Sequence, residues 1–332
     1  MYFQGQVRKF SITGLAASFV FCRGFCLFFC LFYLQGWSEA SSLFAQPPLN
    51  SMVVLSLPAE SLGKAKIVRP ALGTGTDWAK DSAFPLKGII RLRADERLHV
   101  KLNYYGATHL EALRICKPFL RRLECGHLEV DDKGAAIIGE FTELAELDIS
   151  GTDITDRGVQ QLANLRKLEE VNLSFLDISR AGLKAFTNMP SLTRLTMNGA
   201  RLGDDSAEEI SKMKKLRILW PIHALVTDKF IERIACLKDM EEIYIQRNDI
   251  TDSGVKKLLV FKKLRRVNLS DTKVTVQGLL ALKQLPHLEA VLFRINGLSA
   301  KDRQLLGTLK GVALGDGTRA KDYDADLFAP VH

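Results

Sequence analysis

A period of 24 residues constrains this chain more than any other feature. Leu120, Leu144, Leu168, Leu192, Leu216, Met240, Leu264 and Leu288 stand 24 residues apart. Each opens a phrase of one pattern, L-x-x-L-x-L, from "LRRLEC" through "LAELDI", "LEEVNL", "LTRLTM", "LRILWP", "MEEIYI" and "LRRVNL" to "LEAVLF". Aliphatics that alternate in this way predict a short strand. A further aliphatic follows in each period (Ile154, Ile178, Leu202, Val226, Ile250, Val274, Leu298), then "TD" or a relative of it. Beyond that come apolar pairs three residues apart, such as Leu162 with Leu165 and Leu258 with Phe261. A Thr or Ser ahead of such spacing predicts a short, capped helix. One strand and one helix sharing an apolar face cannot bury it alone, but stacked copies can.

With helix starts such as "DITDRGVQQL" and "DITDSGVKKL", the pattern resembles the leucine-rich repeat family, in its bacterial form with ITDxGL-type starts. The resemblance covers about Leu120 to Gly311. It implies an α/β fold: a curved, horseshoe-like solenoid with a parallel sheet on the concave side and helices on the convex side. It also implies an asparagine that bonds turn backbone. Here that position holds asparagine only at Asn248 and Asn296, with Leu128, Thr152, Leu176, Ala200, Ala224 and Thr272 elsewhere, so no continuous asparagine ladder is expected.

The flanks divide by composition. In residues 1–45, Arg8 and Lys9 precede an apolar stretch from Ile12 to Trp37, broken by Arg23 and followed by the Ser38-Glu39-Ala40 triplet. A positive start, an apolar core and a small-residue exit predict a signal peptide. The alternative is a membrane anchor over residues 12–34, in which Arg23 costs about 2.5–3.5 kcal/mol on insertion scales. Either way the expected location is extracytoplasmic, secreted or membrane-anchored. Tyr2 to Gly5 read "YFQG", the tail of a protease site common in engineered proteins, and are set aside. Residues 46–87, with "RPALGTGTDWAKD", are expected to be a linker. Residues 88–119 are expected to be the N-terminal cap and a degenerate first repeat. Gly88 to Asn103 would form a capping hairpin whose Leu98 and Val100 make the first rung. "THLE" at Thr108 would open a helix through Pro118 by a capping box. Eight repeats occupy 120–311, and 312–332 is expected to be a frayed tail.

Catalytic chemistry finds no motif. The six histidines have neither metal-ligand spacing nor a nucleophile partner. "GTG" at Gly73 lacks the strand and last glycine of a dinucleotide loop. "DYDAD" at Asp322 has Leu327 where a calcium loop needs glycine. "NLS" at Asn172 and Asn268 falls inside strands. Cys22, Cys26 and Cys30 lie in the apolar segment, and Cys116, Cys125 and Cys236 fit no disulfide or CxxC pattern. The net charge of +8 is spread over scattered pairs such as Arg121-Arg122 and Lys262-Lys263, which reads as solvated faces rather than a nucleic-acid surface. No enzyme activity, cofactor or metal is expected, nor any nucleic-acid partner.

What remains is the concave face. In L-x-x-L-x-L the last x points out of the sheet, because successive side chains alternate. That column reads Glu124, Asp148, Asn172, Thr196, Trp220, Tyr244, Asn268, Leu292, and the next reads Gly126, Ser150, Ser174, Asn198, Ile222, Gln246, Ser270, Arg294. The loop edge adds His223 and Arg247. Trp220, Tyr244, Ile222, His223, Arg247, Leu292 and Arg294 are therefore expected to form one partner-binding patch, with an apolar centre and a basic edge. Aromatics and arginine dominate interface energetics. The expected function is a non-enzymatic scaffold, monomeric, binding a protein or peptide. Two alternatives are an intracellular adaptor of F-box type, to which "LPAESL" at Leu57 is faintly similar, and a carbohydrate- or polyanion-binding surface. Pro221 takes an inward slot and has no N–H, so a lost rung-to-rung bond is expected there, with a bulge or shortened strand that re-aims Trp220.

Overall fold

The computed structural model describes residues 51–69, 83–294, 298–309 and 313–315. All fall within the unit spanning Leu49–His332. The segment expected to be a signal peptide or anchor, Gly73, Asn296 and Asp322 to Asp326 lie outside the described residues.

The repeats form the strands the pattern predicts: β6 (Leu120–Glu124), β7 (Glu146–Asp148), β8 (Glu170–Asn172), β9 (Arg194–Thr196), β10 (Ile218–Trp220), β11 (Glu242–Tyr244), β12 (Arg266–Asn268) and β13 (Ala290–Leu292). Each pairs in parallel with the next, at one register, as in Leu147↔Val171 and Val171↔Leu195. The inward aliphatics are buried along the whole stack, from Leu120 and Leu123 to Leu264 and Val267. The result is an α/β leucine-rich repeat solenoid. Its curvature follows from unequal spacings: parallel strands stack about 4.8 Å apart, whereas helices need about 8–10 Å. The sheet side is therefore the concave one.

The convex helices explain the "TD" signature. α2 (Asp132–Ile138), α3 (Asp156–Gln161), α4 (Arg180–Leu183), α5 (Ser206–Ile210), α6 (Asp228–Arg233), α7 (Asp252–Leu258), α8 (Val276–Leu279) and α9 (Ala300–Leu306) follow the strands in turn, with a helical turn α1 (Tyr104–Thr108) before them. Thr155, Thr227 and Thr251 each cap their own helix by accepting from the N–H two residues on. The aspartate that follows works on the next repeat instead. Asp132 accepts from the N–H and hydroxyl of Thr155, both at 2.8 Å. Asp228 does the same for Thr251 at 2.9 and 2.5 Å. Room for the carboxylate comes from the glycine of "TDxG": a Cβ on Gly254 would lie 2.2 Å from Asp228 Oδ1. Thr, Asp and Gly are thus one latch shared by two neighbouring repeats. It is interrupted where Arg180 replaces the aspartate and Gly203 the capping residue, and again where Val276 replaces the aspartate ahead of Ser299. At the first of these Arg180 reaches Glu209 at 3.0 Å, and α5 starts without a side-chain cap bond.

The N-terminal cap corrects three expectations. Residues 46–87 are not simply a linker: β1 (Met52–Ser56), β2 (Gly63–Val68) and β3 (Phe84–Pro85) lie within them. These strands pair antiparallel and need not obey the 24-residue period, so the periodicity is silent about them. β4 (Ile89–Arg93) and β5 (Arg97–Leu102) do not pair as a hairpin. β4 pairs with β1, while β5 pairs with β2 on one side and β6 on the other. The polar turn between β4 and β5 is a corner joining two sheets. β5 does supply the first rung, with Val100 opposite Leu123 after an irregularity at Leu98/His99. "THLE" opens no capped helix: α1 is capped earlier, by Asn103, whose side chain accepts from Gly106 N at 2.8 Å. A 3-10 stretch, Leu110–Cys116, follows it. At the other end, the region expected to be a frayed tail contains β14 (Ala313–Gly315), parallel to β13 with Ala290↔Ala313. Its residues lack the L-x-x-L phrase that marks the other rungs.

Candidate functional site

The concave face carries three columns of side chains, one more than the predicted pair. The additional column precedes the others by two residues: Arg122, Glu146, Glu170, Arg194, Ile218, Glu242, Arg266, Ala290. It is a ladder of charges set into the floor of the sheet. Arg122 bridges Glu124 at 2.7 Å and Glu146 at 3.2 Å. Arg194 lies 3.6 Å from Glu170, and Arg266 lies 3.6 Å from Glu242. Burial raises the carboxyls of Glu146 and Glu242 above the usual range and pushes Glu170 up to about 7, against the pull of the neighbouring arginines. The alternation that identified Trp220 also places these residues outward. Their charged character, at a position two residues earlier in the same strand, was the available signal.

Trp220 and Tyr244 meet as the rung spacing requires. Their rings stack with centroids 5.0 Å apart and planes 6° from parallel. The guanidinium of Arg194, on the preceding rung, lies 5.5 Å from the centre of the Trp220 ring. Trp220 is thus sandwiched between a cation and a phenol. Its indole N–H donates to Glu242 Oε1 at 2.8 Å. The Tyr244 side chain is hydrogen-bonded to the same carboxylate. Both aromatics are half-buried, and their orientation is fixed by one buried acid.

Pro221 is buried in its inward slot, and the missing bond is there. Cys125, Ile149, Leu173, Met197, Ile245 and Leu269 each donate a backbone N–H to the next rung, for example Met197 N to Trp220 O at 3.1 Å and Ile245 N to Asn268 O at 3.0 Å. Proline cannot donate the corresponding bond, and β10 pairs with β11 over Ile218 and Leu219 only, whereas it pairs with β9 through Trp220 as well. The expected bulge is not there. β10 has the same three residues as its neighbours, and the register is unshifted. Proline's fixed φ suits an extended backbone, and bonds on either side hold the register, including His223 N to Gln246 O at 3.1 Å. Trp220 therefore keeps its regular direction.

Beyond the strands, one position per repeat has a left-handed backbone: His127, Gly151, Phe175, Gly199, His223, Arg247 and Asp271, with φ between 51° and 66°. Glycine takes this conformation freely, whereas each other residue pays roughly 1–2 kcal/mol for it. At two positions glycine also makes room: a Cβ on Gly199 would meet the Phe175 ring at 2.7 Å, and one on Gly151 the His127 ring at 2.5 Å. His223, Arg247 and Asp271 line a shallow cavity of about 450 Å³ at this edge. Asp271 engages both arginines of the expected basic rim, Arg247 at 3.6 Å and Arg294 at 2.5 Å. Ile222 is buried beside the aromatic pair in sequence, and Leu292 stands two strands beyond Tyr244, with Asn268 between them. The predicted patch thus divides into an aromatic centre and a separate edge, where one carboxylate is shared by two arginines.

Among the described residues no group of His, Cys, Asp and Glu could hold a metal ion. Cys125 is buried in its inward slot, where burial raises its thiol far above the usual range. Among the described residues no helix is long and apolar enough to cross a membrane.

The leucine-rich repeat family model matches residues 144–163 and 238–259. No curated protein sequence matches the chain. Among solved structures, the chain is similar to internalin C2 from Listeria monocytogenes, at 18% identity and a TM-score of 0.46, covering 71% of this chain and 100% of that one. It is also similar to internalin F from the same organism, at 16% identity and a TM-score of 0.40, covering 66% and 79%. The 24-residue period, the parallel ladder and the family match agree: the chain is a leucine-rich repeat protein.

Proposed function

We propose that the chain is a non-enzymatic scaffold that binds a protein or peptide on its concave face, at a patch centred on Trp220 and Tyr244 and extending to Ile222, His223, Arg247, Leu292 and Arg294. The observation that carries this reading is the ring pair itself. Two large aromatics are stacked in the middle of the sheet and fixed by the buried Glu242, so little side-chain entropy remains to be lost on binding. The sandwich also bears on the alternatives. A sugar needs an open aromatic face, and both faces of Trp220 are taken by Arg194 and Tyr244. A polyanion needs several free cations, and Arg247 and Arg294 share Asp271, which leaves one net positive charge between them. Export or tethering through residues 12–34 rests on the sequence of that segment alone.

The test uses the full chain as immobilised bait against a displayed library of extracellular protein domains, with the Trp220→Ala/Tyr244→Ala double variant as its control. Partners should be retained by the wild type and lost by the variant at an unchanged circular dichroism spectrum. Equal retention by a folded double variant would remove the patch from the function.

A further inference from the structure

Polar groups in the outermost concave column are treated differently along the solenoid. At the rungs of Ser150 and Ser174 they close on the residue two before. Asp148 Oδ1 accepts from the N–H and the hydroxyl of Ser150, at 2.9 and 2.6 Å. Asn172 Oδ1 does the same for Ser174, at 3.1 and 2.6 Å. From Asn198 onward single side-chain atoms are left over, although Ser270 N still donates to Asn268 Oδ1 at 3.0 Å. Asn198 Oδ1, both amide atoms of Gln246 and the Ser270 hydroxyl are buried without a hydrogen-bond partner. Gln246 is the sharpest case, since its residue is only 2% exposed. A buried, unpaired amide costs the fold about 1–3 kcal/mol, and no backbone or helix-cap role of that side chain offsets it.

The open stretch coincides with the aromatic pair. Gln246 follows Tyr244 by two residues on the same strand path, and by alternation it shares the concave side with it. Asn198 to Ser270 spans four rungs, three spacings apart or roughly 14 Å, which an extended peptide of about four residues covers. A primary amide presents a donor and an acceptor side by side, and so does each residue of an extended chain, whose own N–H and C=O point to one edge.

We propose that Gln246, with Ser270 on the next rung and Asn198 two rungs before, is an amide-reading subsite: its side-chain amide pairs with the N–H and C=O of one residue of an extended partner segment lying across the rungs, while an apolar side chain of that segment packs on Ile222 and the edge of the Trp220–Tyr244 pair. The inference rests on the peptide-binding reading above and names the form of its partner. No hydrogen bond holds the Gln246 amide, so turning it toward a ligand breaks none of the fold's hydrogen bonds. The unpaired amide is the stability cost of a site that is completed only by the ligand.

The experiment selects peptides from a random-sequence display library on the immobilised full chain. The best binder is then titrated calorimetrically against the wild type, Gln246→Leu, Gln246→Glu and the Trp220→Ala/Tyr244→Ala variant. Copies of the peptide in which each backbone amide in turn is replaced by an ester form a second series. Gln246→Leu should melt higher than the wild type and bind roughly tenfold more weakly or worse. One ester position should reproduce that loss in the wild type and cost nothing further in Gln246→Leu. If selected peptides need the aromatic pair but ignore both Gln246 variants and every ester, the subsite is wrong and the peptide reading stands. If no peptide is enriched, or binding survives loss of the aromatic pair, both are overturned. Binding of a gluco-oligosaccharide that is lost in Gln246→Leu would overturn the peptide assignment in favour of a sugar.

Discussion

The side-chain amide of Asn248 donates to the carbonyl of Pro221 at 2.7 Å, from the rung that follows the proline. The same NH₂ reaches Ile245 O at 3.0 Å and Gln246 O at 3.1 Å, while Oδ1 accepts from Ala224 N at 3.0 Å and Val226 N at 3.1 Å. Among the described rungs, this is the only asparagine at that position, and it sits beside the only proline in an inward strand slot. Thr152 and Thr272, at the same position elsewhere, bond back to their own strand end at 2.8 and 2.6 Å, and Thr272 also accepts from Val274 N at 3.4 Å, so their bonds stay within one repeat. The side chain with the widest reach stands where the backbone has lost a bond. Asn248→Ala should therefore destabilise the chain by about 3 kcal/mol, through several buried polar groups left unpaired. Urea denaturation would measure it, and a loss below about 0.5 kcal/mol would mean that water replaces the suture.

Pro221→Val should act in the opposite direction. Other rungs place Ile, Leu, Met or Cys in this slot, so the side chain fits, and the new N–H faces the carbonyl of Tyr244. The gain should be about 1 kcal/mol, the usual net value of one such bond. Hydrogen exchange would find the new amide protected. An amide exchanging as fast as an exposed one would show that the rung does not close.

The latch between repeats predicts a change of sign. Gly254→Ala drives a methyl into the carboxylate of Asp228 and should cost about 1–3 kcal/mol by displacing its bonds to Thr251. With Asp228→Ala already present the same change meets no carboxylate, only Ile250 Cγ2 at 2.9 Å. Alanine's better helix propensity, worth about 1 kcal/mol, then offsets that contact and should make the change neutral or slightly stabilising. Purely additive behaviour in the double-mutant cycle would exclude the latch.

Glu170 makes the floor of the concave sheet sensitive to pH. Burial raises its carboxyl to about 7 from a reference of 4.5, although Arg194 draws it down. The folded state thus holds this proton more tightly than the unfolded chain does. Its contribution is fully present below about 4.5 and is lost as pH rises through about 7. Glu170→Gln, which carries no charge to bury, should melt a few degrees higher than the wild type at pH 8 and lose that advantage toward pH 4. Thermal melts across this range would show it, and parallel curves for the two proteins would refute it.

The sequence disclosed the repeat because a 24-residue period repeats the same burial pattern in every copy. The outward column and the Trp220–Tyr244 contact followed from alternation and strand spacing. The cap was not legible, because β1 and β2 pair antiparallel outside the period and only their partners show what "MVVLS" and "GKAKIV" do. Nor was the charged ladder: Arg194 and Glu242 look like ordinary solvated residues until the sheet sets them beside Trp220. The bulge at Pro221 failed as an expectation for the same reason. A missing donor is a property of one residue, whereas register is held by all the bonds around it.

Two of the breaks in the solenoid's stitching, at Pro221 and at Arg180, are staggered. On the sheet side the weak joint lies between β10 and β11, and there the convex latch of Asp228 with Thr251 is intact. On the convex side the weak joint lies after Arg180, and there the strands are fully stitched, with Leu173 N to Thr196 O and Phe175 N to Asn198 O both at 2.8 Å. In a stack where each repeat touches only its neighbours, cooperativity passes through every joint in series. Offsetting the gaps, as a bricklayer offsets courses, leaves neither of these joints weak on both faces, so neither offers a ready line along which the chain could part into halves.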